Sequence, residues 1–215
     1  MPSSNPTLIE SVVVDRPAII GDEAKGSEAR GLTHWILASD GEAVFAYSLI
    51  QKSDAATKVL SGLSGVNSLT VDPNQGYLFV ASASGSTSTV DRYEFTVDIS
   101  KAAPVLAVKE TTKEQIYEGS VIESIAIDAD QGILYIADSG NKRIDSLKYD
   151  PSKTKSSGST TSKATTLYEK TQNLDVVTSV EVDYQGNLFW AVREDGKDDG
   201  AIIRGQADTP DSTTT

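Results

Sequence analysis

The chain has no cysteine and a single histidine, His34. These two scarcities exclude disulfides, thiolate metal centres, a cysteine nucleophile and a polyhistidine zinc site. Long hydrophobic runs are missing as well. No stretch approaches the roughly 18 apolar residues of a membrane-spanning helix. The N-terminal MPSSNPTLIE has neither a basic start nor an apolar run of signal-peptide length. Basic residues are outnumbered, 19 Lys+Arg against 31 Asp+Glu, giving a net charge of −12. A field of that sign repels phosphate backbones, so nucleic acid is not an expected partner. No Asn-x-Ser/Thr acceptor exists, because Asn5-Pro6-Thr7 is blocked by its proline. A glycine-rich phosphate loop, a G-x-S-x-G elbow and an HExxH motif are also missing. What is present, 215 residues at 38% hydrophobic and 23% charged, is a globular composition. A chain of that length buries about 70% of its unfolded surface without staples.

The dominant feature is an internal repeat. LIESVVVD from Leu8, GVNSLTVD from Gly65, VIESIAID from Val121 and VVTSVEVD from Val176 align. Their serines are Ser11, Ser68, Ser124 and Ser179, and their aspartates Asp15, Asp72, Asp128 and Asp183. Successive copies are 57, 56 and 55 residues apart. Within each copy the apolar residues alternate (Val12 and Val14, Leu69 and Val71, Ile125 and Ile127, Val180 and Val182), which is strand periodicity. The last three copies run into turns, DPNQGY, DADQGI and DYQGNL, whose glycines Gly76, Gly132 and Gly186 suit tight hairpins. A nearly all-apolar second strand follows: LFVAS, LYIAD and LFWAV, with WILAS from Trp35 in the first repeat behind the insertion Arg16 to Thr33. Third strands read FAYSL, TVDRYEF, KRIDSLKY and AIIRGQA; fourth strands read TKVLSG, EQIYEG and TTLYEK.

Four short strands per repeat of about 55 residues, with glycine-marked turns and no helical stripe, predict an all-β propeller with about four four-stranded blades. The second strand is apolar on consecutive residues because stacked blades cover both of its faces. The predicted organisation is a tail over 1–7, repeats over 8–64, 65–120, 121–175 and 176–207, and a polar tail over 208–215. The fourth repeat lacks a fourth strand. Either LIESVVV supplies it and closes a small ring, or that segment is an innermost strand and the repeats belong to a larger ring. Its match to the other inner strands favours the second. The polar stretch Ser152 to Thr166 reads as a solvated insertion and Glu194 to Gly200 as a solvated loop. The aspartates before the turns read as turn residues, and Trp35 and Trp190 as fillers between blades.

The third repeat, ESIAIDADQGILYIADSGNKRIDSLKYDP, resembles the repeats of NHL propellers through Ala137-Asp138-Ser139-Gly140-Asn141-Lys142-Arg143-Ile144. It is also similar to YWTD repeats through Leu134-Tyr135-Ile136-Ala137-Asp138. Repeats two and four keep less, LFVAS with Asp91-Arg92 and LFWAV with Arg204. Propellers of both families are typically six-bladed, so that resemblance implies part of a larger six-bladed ring, and a non-catalytic binding or scaffolding module. It would dock a protein partner on the disc face, or serve as an accessory subunit of a larger assembly, with no required cofactor. It also implies an extracellular or organelle-lumenal setting, which the residues themselves leave undetermined.

A weaker similarity is to gluconolactonase- and paraoxonase-type propellers, in which Glu, Asn and Asp at inner-strand starts hold a divalent metal. The corresponding residues are Glu10, Asn67, Glu123 and Thr178. The first three are oxygen donors of the kind Ca²⁺ accepts. This resemblance implies an alternative function: a metal-dependent hydrolase of a small-molecule lactone or ester, with Glu123 or Glu10 as base. Thr178 departs from that pattern. His34 has no partner that the sequence places beside it and reads as a structural or surface residue.

Overall fold

The structure, a computed structural model, describes residues 10–16, 33–48, 56–98, 105–149, 163–169, 176–193 and 200–207. Among them are fifteen strands and no helix. Sheet 1 holds β1 (Glu10–Arg16), β2 (Thr33–Ser39), β3 (Val44–Ser48) and β4 (Thr57–Leu60). Sheet 2 holds β5 (Val66–Asp72), β6 (Tyr77–Ser84), β7 (Thr87–Asp98) and β8 (Val105–Gly119). Sheet 3 holds β9 (Ile122–Asp128), β10 (Ile133–Asp138), β11 (Arg143–Lys148) and β12 (Thr165–Glu169). Sheet 4 holds β13 (Val176–Val182), β14 (Asn187–Arg193) and β15 (Gly200–Gln206). In every sheet the strands lie side by side in chain order, and every pair is antiparallel. This is the β-propeller that the repeat predicts.

The turns after β5, β9 and β13 form as their residues dictate. Gly76, Gly132 and Gly186 take φ of 71°, 65° and 77°, a left-handed conformation that costs glycine little. Asp72 Oδ1 accepts from Asn74 N (2.9 Å) and Gln75 N (3.0 Å). Asp128 Oδ1 accepts from Gln131 N at 2.9 Å, and Asp183 Oδ1 from Gln185 N at 2.8 Å. The Asn187 amide and the backbone bonds at this turn favour the Asp183 carboxylate and draw its pKa down. The three aspartates are therefore turn residues, as the sequence indicates.

The core lies between sheets, in three seams. Trp35, Leu37 and Val44 of sheet 1 pack on Leu69, Leu78 and Val80 of sheet 2. Phe79, Ala81 and Val90 of sheet 2 pack on Ile125, Leu134 and Ile136 of sheet 3. Tyr135, Ala137 and Ile144 of sheet 3 pack on Val180, Leu188 and Trp190 of sheet 4. The second strands of the two middle sheets, β6 and β10, thus send alternate side chains into two different seams. That is why β6 reads as a continuous apolar run and is buried through Ser82.

Three details refine the sequence reading. First, β1 pairs with β2 as the innermost strand of sheet 1, and the fourth sheet has three strands among the described residues. The reading in which LIESVVV completes the fourth sheet is therefore corrected in favour of the inner-strand reading. Second, sheet 1 sits one residue off the others: Trp35 and Leu37 face sheet 2, where the repeat alignment puts Ile36 and Ala38. A one-residue offset exchanges the two faces of a strand, and here it carries the bulky Trp35 into the seam. Third, Thr165 and Thr166 belong to β12, so the solvated insertion ends before them. Thr166 pairs with Asp145, and Thr165 O accepts from Ser146 Oγ at 3.4 Å. The tails, residues 17–32, 151–162 and 194–199 lie outside the described residues, and with them most of the two loops singled out above.

Candidate functional site

The inner strands β5, β9 and β13 begin at one end of the disc, beside the end of each second strand. At this end the ladder slips by one residue in the same place three times. Val66 pairs with Ser82 and Ser68 with Ala81, leaving Asn67 as the extra residue. Ile122 pairs with Asp138 and Ser124 with Ala137, leaving Glu123. Val177 pairs with Val192 and Ser179 with Ala191, leaving Thr178. A β-bulge re-aims the extra side chain out of the regular alternation, which is how sheets bring side chains to functional rims. Three of the four residues matched to metal-holding positions are these bulge residues. At Glu10 the bulge is not repeated: Glu10 pairs directly with Ser39 in an unshifted ladder.

The bulge side chains are tied into the fold. Asn67 Nδ2 donates to Ile122 O at 2.9 Å, joining sheet 2 to sheet 3. Glu123 Oε1 accepts from Ser139 Oγ at 3.4 Å. Thr178 Oγ1 reaches Ala191 O at 3.5 Å. The structure brings Asn67 to the start of β9, next to Glu123 in sequence. Among the described residues no group of three His, Cys, Asp or Glu gathers. A Ca²⁺ ion takes about six to eight oxygens. In a Ca²⁺ site, Asn67 Oδ1 and the Glu123 carboxylate would supply only part of such a shell, and the remainder would have to come from Glu10, backbone carbonyls and water.

The repeat serines have a role that the sequence did not reveal. Ser68 Oγ accepts from Ile125 N of the next inner strand at 3.0 Å. Ser124 Oγ accepts from Val180 N at 3.3 Å and donates to Val180 O at 3.4 Å. Each hydroxyl satisfies a buried backbone group of the following sheet, so the repeated serine is a sheet-to-sheet tie. Asp72 does similar work, accepting from the Tyr149 hydroxyl of sheet 3 at 2.8 Å. Tyr168 of sheet 3 both donates to Gln206 O and accepts from Gln206 N of sheet 4, each at 2.9 Å.

The NHL-like stretch of repeat three forms a buried network at the junction of sheets 2 and 3. Asp138 is fully buried, and its Oδ1 accepts from Ser120 N (3.2 Å), Val121 N (3.3 Å) and Asn141 N (3.2 Å). Its Oδ2 accepts from Asn141 Nδ2 at 2.6 Å. Arg143 Nε lies 2.9 Å from Asp145 Oδ2. Tyr117, from β8, donates to the same Asp145 oxygen at 2.6 Å and accepts from Arg143 Nη2 at 3.0 Å. Thr166 Oγ1 donates to Asp145 Oδ1 at 2.8 Å. Backbone donors stabilise the Asp138 carboxylate, and the Arg143 guanidinium pairs with both, 2.9 Å from Asp145 Oδ2 and 3.5 Å from Asp138 Oδ2. Burial, then the bond to Asp145, pushes the Tyr117 phenol well above its ordinary pKa. Gly119 is required here, since a Cβ would sit 2.6 Å from Asp138 Oδ2. Tyr117, Asp145 and Ser120 were not among the residues singled out from the sequence. A usable signal was present in the Tyr-Glu pair recurring at Tyr117-Glu118 and Tyr168-Glu169.

Neither a protein-family model nor a curated protein sequence matches the chain. Among solved structures, the hydrazine synthase of Kuenenia stuttgartiensis superposes with a TM-score of 0.55 at 15% identity, over 83% of this chain and 45% of that one. A luciferin-regenerating enzyme superposes with a TM-score of 0.55 at 15% identity, over 85% of this chain and 57% of its own. The chain thus spans about half the length of these structures. At such identity the likeness is one of fold.

Proposed function

We propose that the chain is a non-catalytic β-propeller binding or scaffolding module of NHL/YWTD-like type, which docks a protein partner on the disc face or serves within a larger assembly. One observation carries this reading. The polar side chains that the repeat presents, Asn67, Ser68, Ser124 and Asp138, are engaged in joining sheets and turns. Their chemistry is the cohesion of a platform, which leaves recognition to the loops around the disc.

The second reading, a Ca²⁺-dependent lactone or ester hydrolase using Glu10, Asn67 and Glu123, is favoured by the bulges that re-aim Asn67 and Glu123. In that reading the ion would supply Lewis-acid polarisation of the carbonyl. Glu123 would then hold a proton near the reacting atoms. Calcium titration by calorimetry, with lactone and ester hydrolysis assayed in parallel, separates the two. The binding reading expects no calcium heat above a Glu123→Gln control and equal turnover by both proteins. Saturable calcium binding and turnover that both disappear in Glu123→Gln would replace it with the hydrolase.

A further inference from the structure

Each sheet has a front face, on the side of the preceding sheet, and a rear face, on the side of the next. Asp145 on the front of sheet 3 and Asp91 on the front of sheet 2 share one register position, opposite Ile136 and Val80. Both are buried, at 1% and 2% exposure. Their donors differ. Asp145 is met by Arg143, Tyr117 and Thr166. At Asp91, Thr89 stands in the place of Arg143 and Gln115 in the place of Thr166. Thr89 Oγ1 lies 3.5 Å from Asp91 Oδ2, and Gln115 turns away to Glu118 at 3.1 Å. Asp91 Oδ1 has no hydrogen-bond partner among the described residues. The counter-charge is Lys113, whose Nζ is 3.1 Å from Asp91 Oδ2.

Lys113 reaches Asp91 because the ladder is broken there. Between the pairs Arg92–Glu114 and Glu94–Lys109, residues 110–113 of β8 face the single Tyr93. Thr112 closes this bulge: its Oγ1 accepts from Glu94 N at 2.8 Å and donates to Lys109 O at 2.7 Å. A bulge interrupts regular pairing and bends its strand. Beyond it, β7 and β8 run on as a ribbon of five pairs, from Glu94–Lys109 to Asp98–Val105. The outer strands of sheets 1 and 3 have four and five residues, whereas β8 has fifteen. The ribbon adds Val97, Leu106 and Val108 to the seam with sheet 1, where Leu106 is buried. β8 touches β4 along this edge, and Ser61 Oγ donates to Glu110 Oε1 at 3.5 Å. Burial, then the charges of Asp91 and Glu110, pushes the Tyr93 phenol above its ordinary pKa, so both carboxylates bear on the residue that the bulge surrounds.

We propose that the ribbon beyond the bulge is a strap across the outer edge of the seam between sheets 1 and 2, that it opens as a unit of its own, and that the Lys113–Asp91 pair is the latch that holds it shut. The break in the ladder separates the strap's hydrogen bonds from those of sheet 2, so the strap opens without unzipping β6. Ala107, Lys109, Glu110, Thr111 and Lys113 are exposed, so few apolar contacts hold its outer strand. Shut, the strap keeps Asp91 away from water, and a buried carboxylate without its counter-charge is strongly disfavoured. Open, it lets water reach Asp91. Removing the charge of Lys113 therefore favours the open strap. The proposal rests on the fold and not on the binding reading.

The test is hydrogen exchange of the whole chain, read segment by segment, with circular dichroism on every variant. In wild type the hydrogen-bonded amides of residues 96–98 and 105–108 are expected to exchange faster than those of residues 115–118, on the other side of the bulge in the same strand. Lys113→Gln is expected to speed the strap amides about tenfold and to leave β6 and β10 unchanged. Lys113→Arg, which keeps the charge, is expected to stay within about twofold of wild type. Asp91→Asn combined with Lys113→Gln is expected to return the strap most of the way to wild type, because no unpaired charge is left. Should Lys113→Gln lose its fold, Lys113→Met replaces it with the same expectation. A wild-type strap as protected as residues 115–118 overturns the proposal. So does a Lys113→Gln variant that leaves the strap unchanged or speeds all the sheets alike, and so does a double variant that exchanges as fast as Lys113→Gln alone.

Discussion

Tyr135, Ala137 and Ile144 of sheet 3 and Phe189, Ala191 and Ile202 of sheet 4 occupy the same three register positions, yet the first set is sealed and the second is not. The chemistry of the two sets is nearly identical. What differs, among the described residues, is the presence of a following sheet. Burial in this fold is thus a property of the stack: a side chain on a second strand becomes core when a neighbour arrives, and the same residue type is surface when none does. The polar residues obey the same rule. Ser124 is a tie because Val180 N stands opposite it, and Ser179 has the same place in its own strand.

The largest expected effect comes from adjacent residues on opposite faces of β14. Trp190 is fully buried against the Tyr168 ring, with centroids 4.5 Å apart. Trp190→Ala should cost about 3–5 kcal/mol. Phe189→Ala, one residue earlier on the half-buried rear face, should cost under about 1 kcal/mol. Chemical denaturation of the two variants measures this, and equal losses would break the comparison. A smaller effect separates the serines. Ser124→Ala leaves a buried Val180 N–H without its partner and should cost about 1–3 kcal/mol. Ser179→Ala should lie within about 0.5 kcal/mol of wild type.

Alkali supplies a third test. The Tyr117 and Tyr149 phenols are both held above their ordinary pKa, by burial first and then by their bonds to Asp145 and Asp72. A phenol with a raised folded-state pKa contributes stability that is fully present below about pH 10. That stability is lost as pH rises toward the folded value. The melting temperature should accordingly fall above about pH 10, and Tyr149→Phe should flatten that fall. An alkaline limb unchanged by the substitution would show that the Tyr149–Asp72 bond does not hold the seam.

Much of this fold is legible in the residues. The interval of the serines and aspartates, the Gly76, Gly132 and Gly186 turns, and the unbroken apolar second strands each state a local rule that the structure obeys. Sheet 1 was less legible. Its one-residue offset depends on whether Trp35 or Ile36 fits the seam better, a tertiary choice that alternation alone leaves open. The candidate site was legible in position only. Asn67, Glu123 and Thr178 do fall at a special place, but a bulge is a property of the ladder and cannot be read from one strand. The partners were the hardest part. That Asn67 reaches Ile122 O, or Tyr117 reaches Asp145, depends on which sheet stacks on which side.

The central proposal is that Asn67 and the repeat serines at the inner-strand starts hold sheets together, with no ion needed there. The most direct test is the melting temperature of wild type and Glu123→Gln, each with Ca²⁺ and with a chelator. A bound ion stabilises the folded state by mass action, so its removal must lower the melting temperature. The account predicts a wild-type value indifferent to the chelator and a mutant at least as stable as wild type. A chelator-sensitive wild type beside a less stable, chelator-insensitive Glu123→Gln would contradict it.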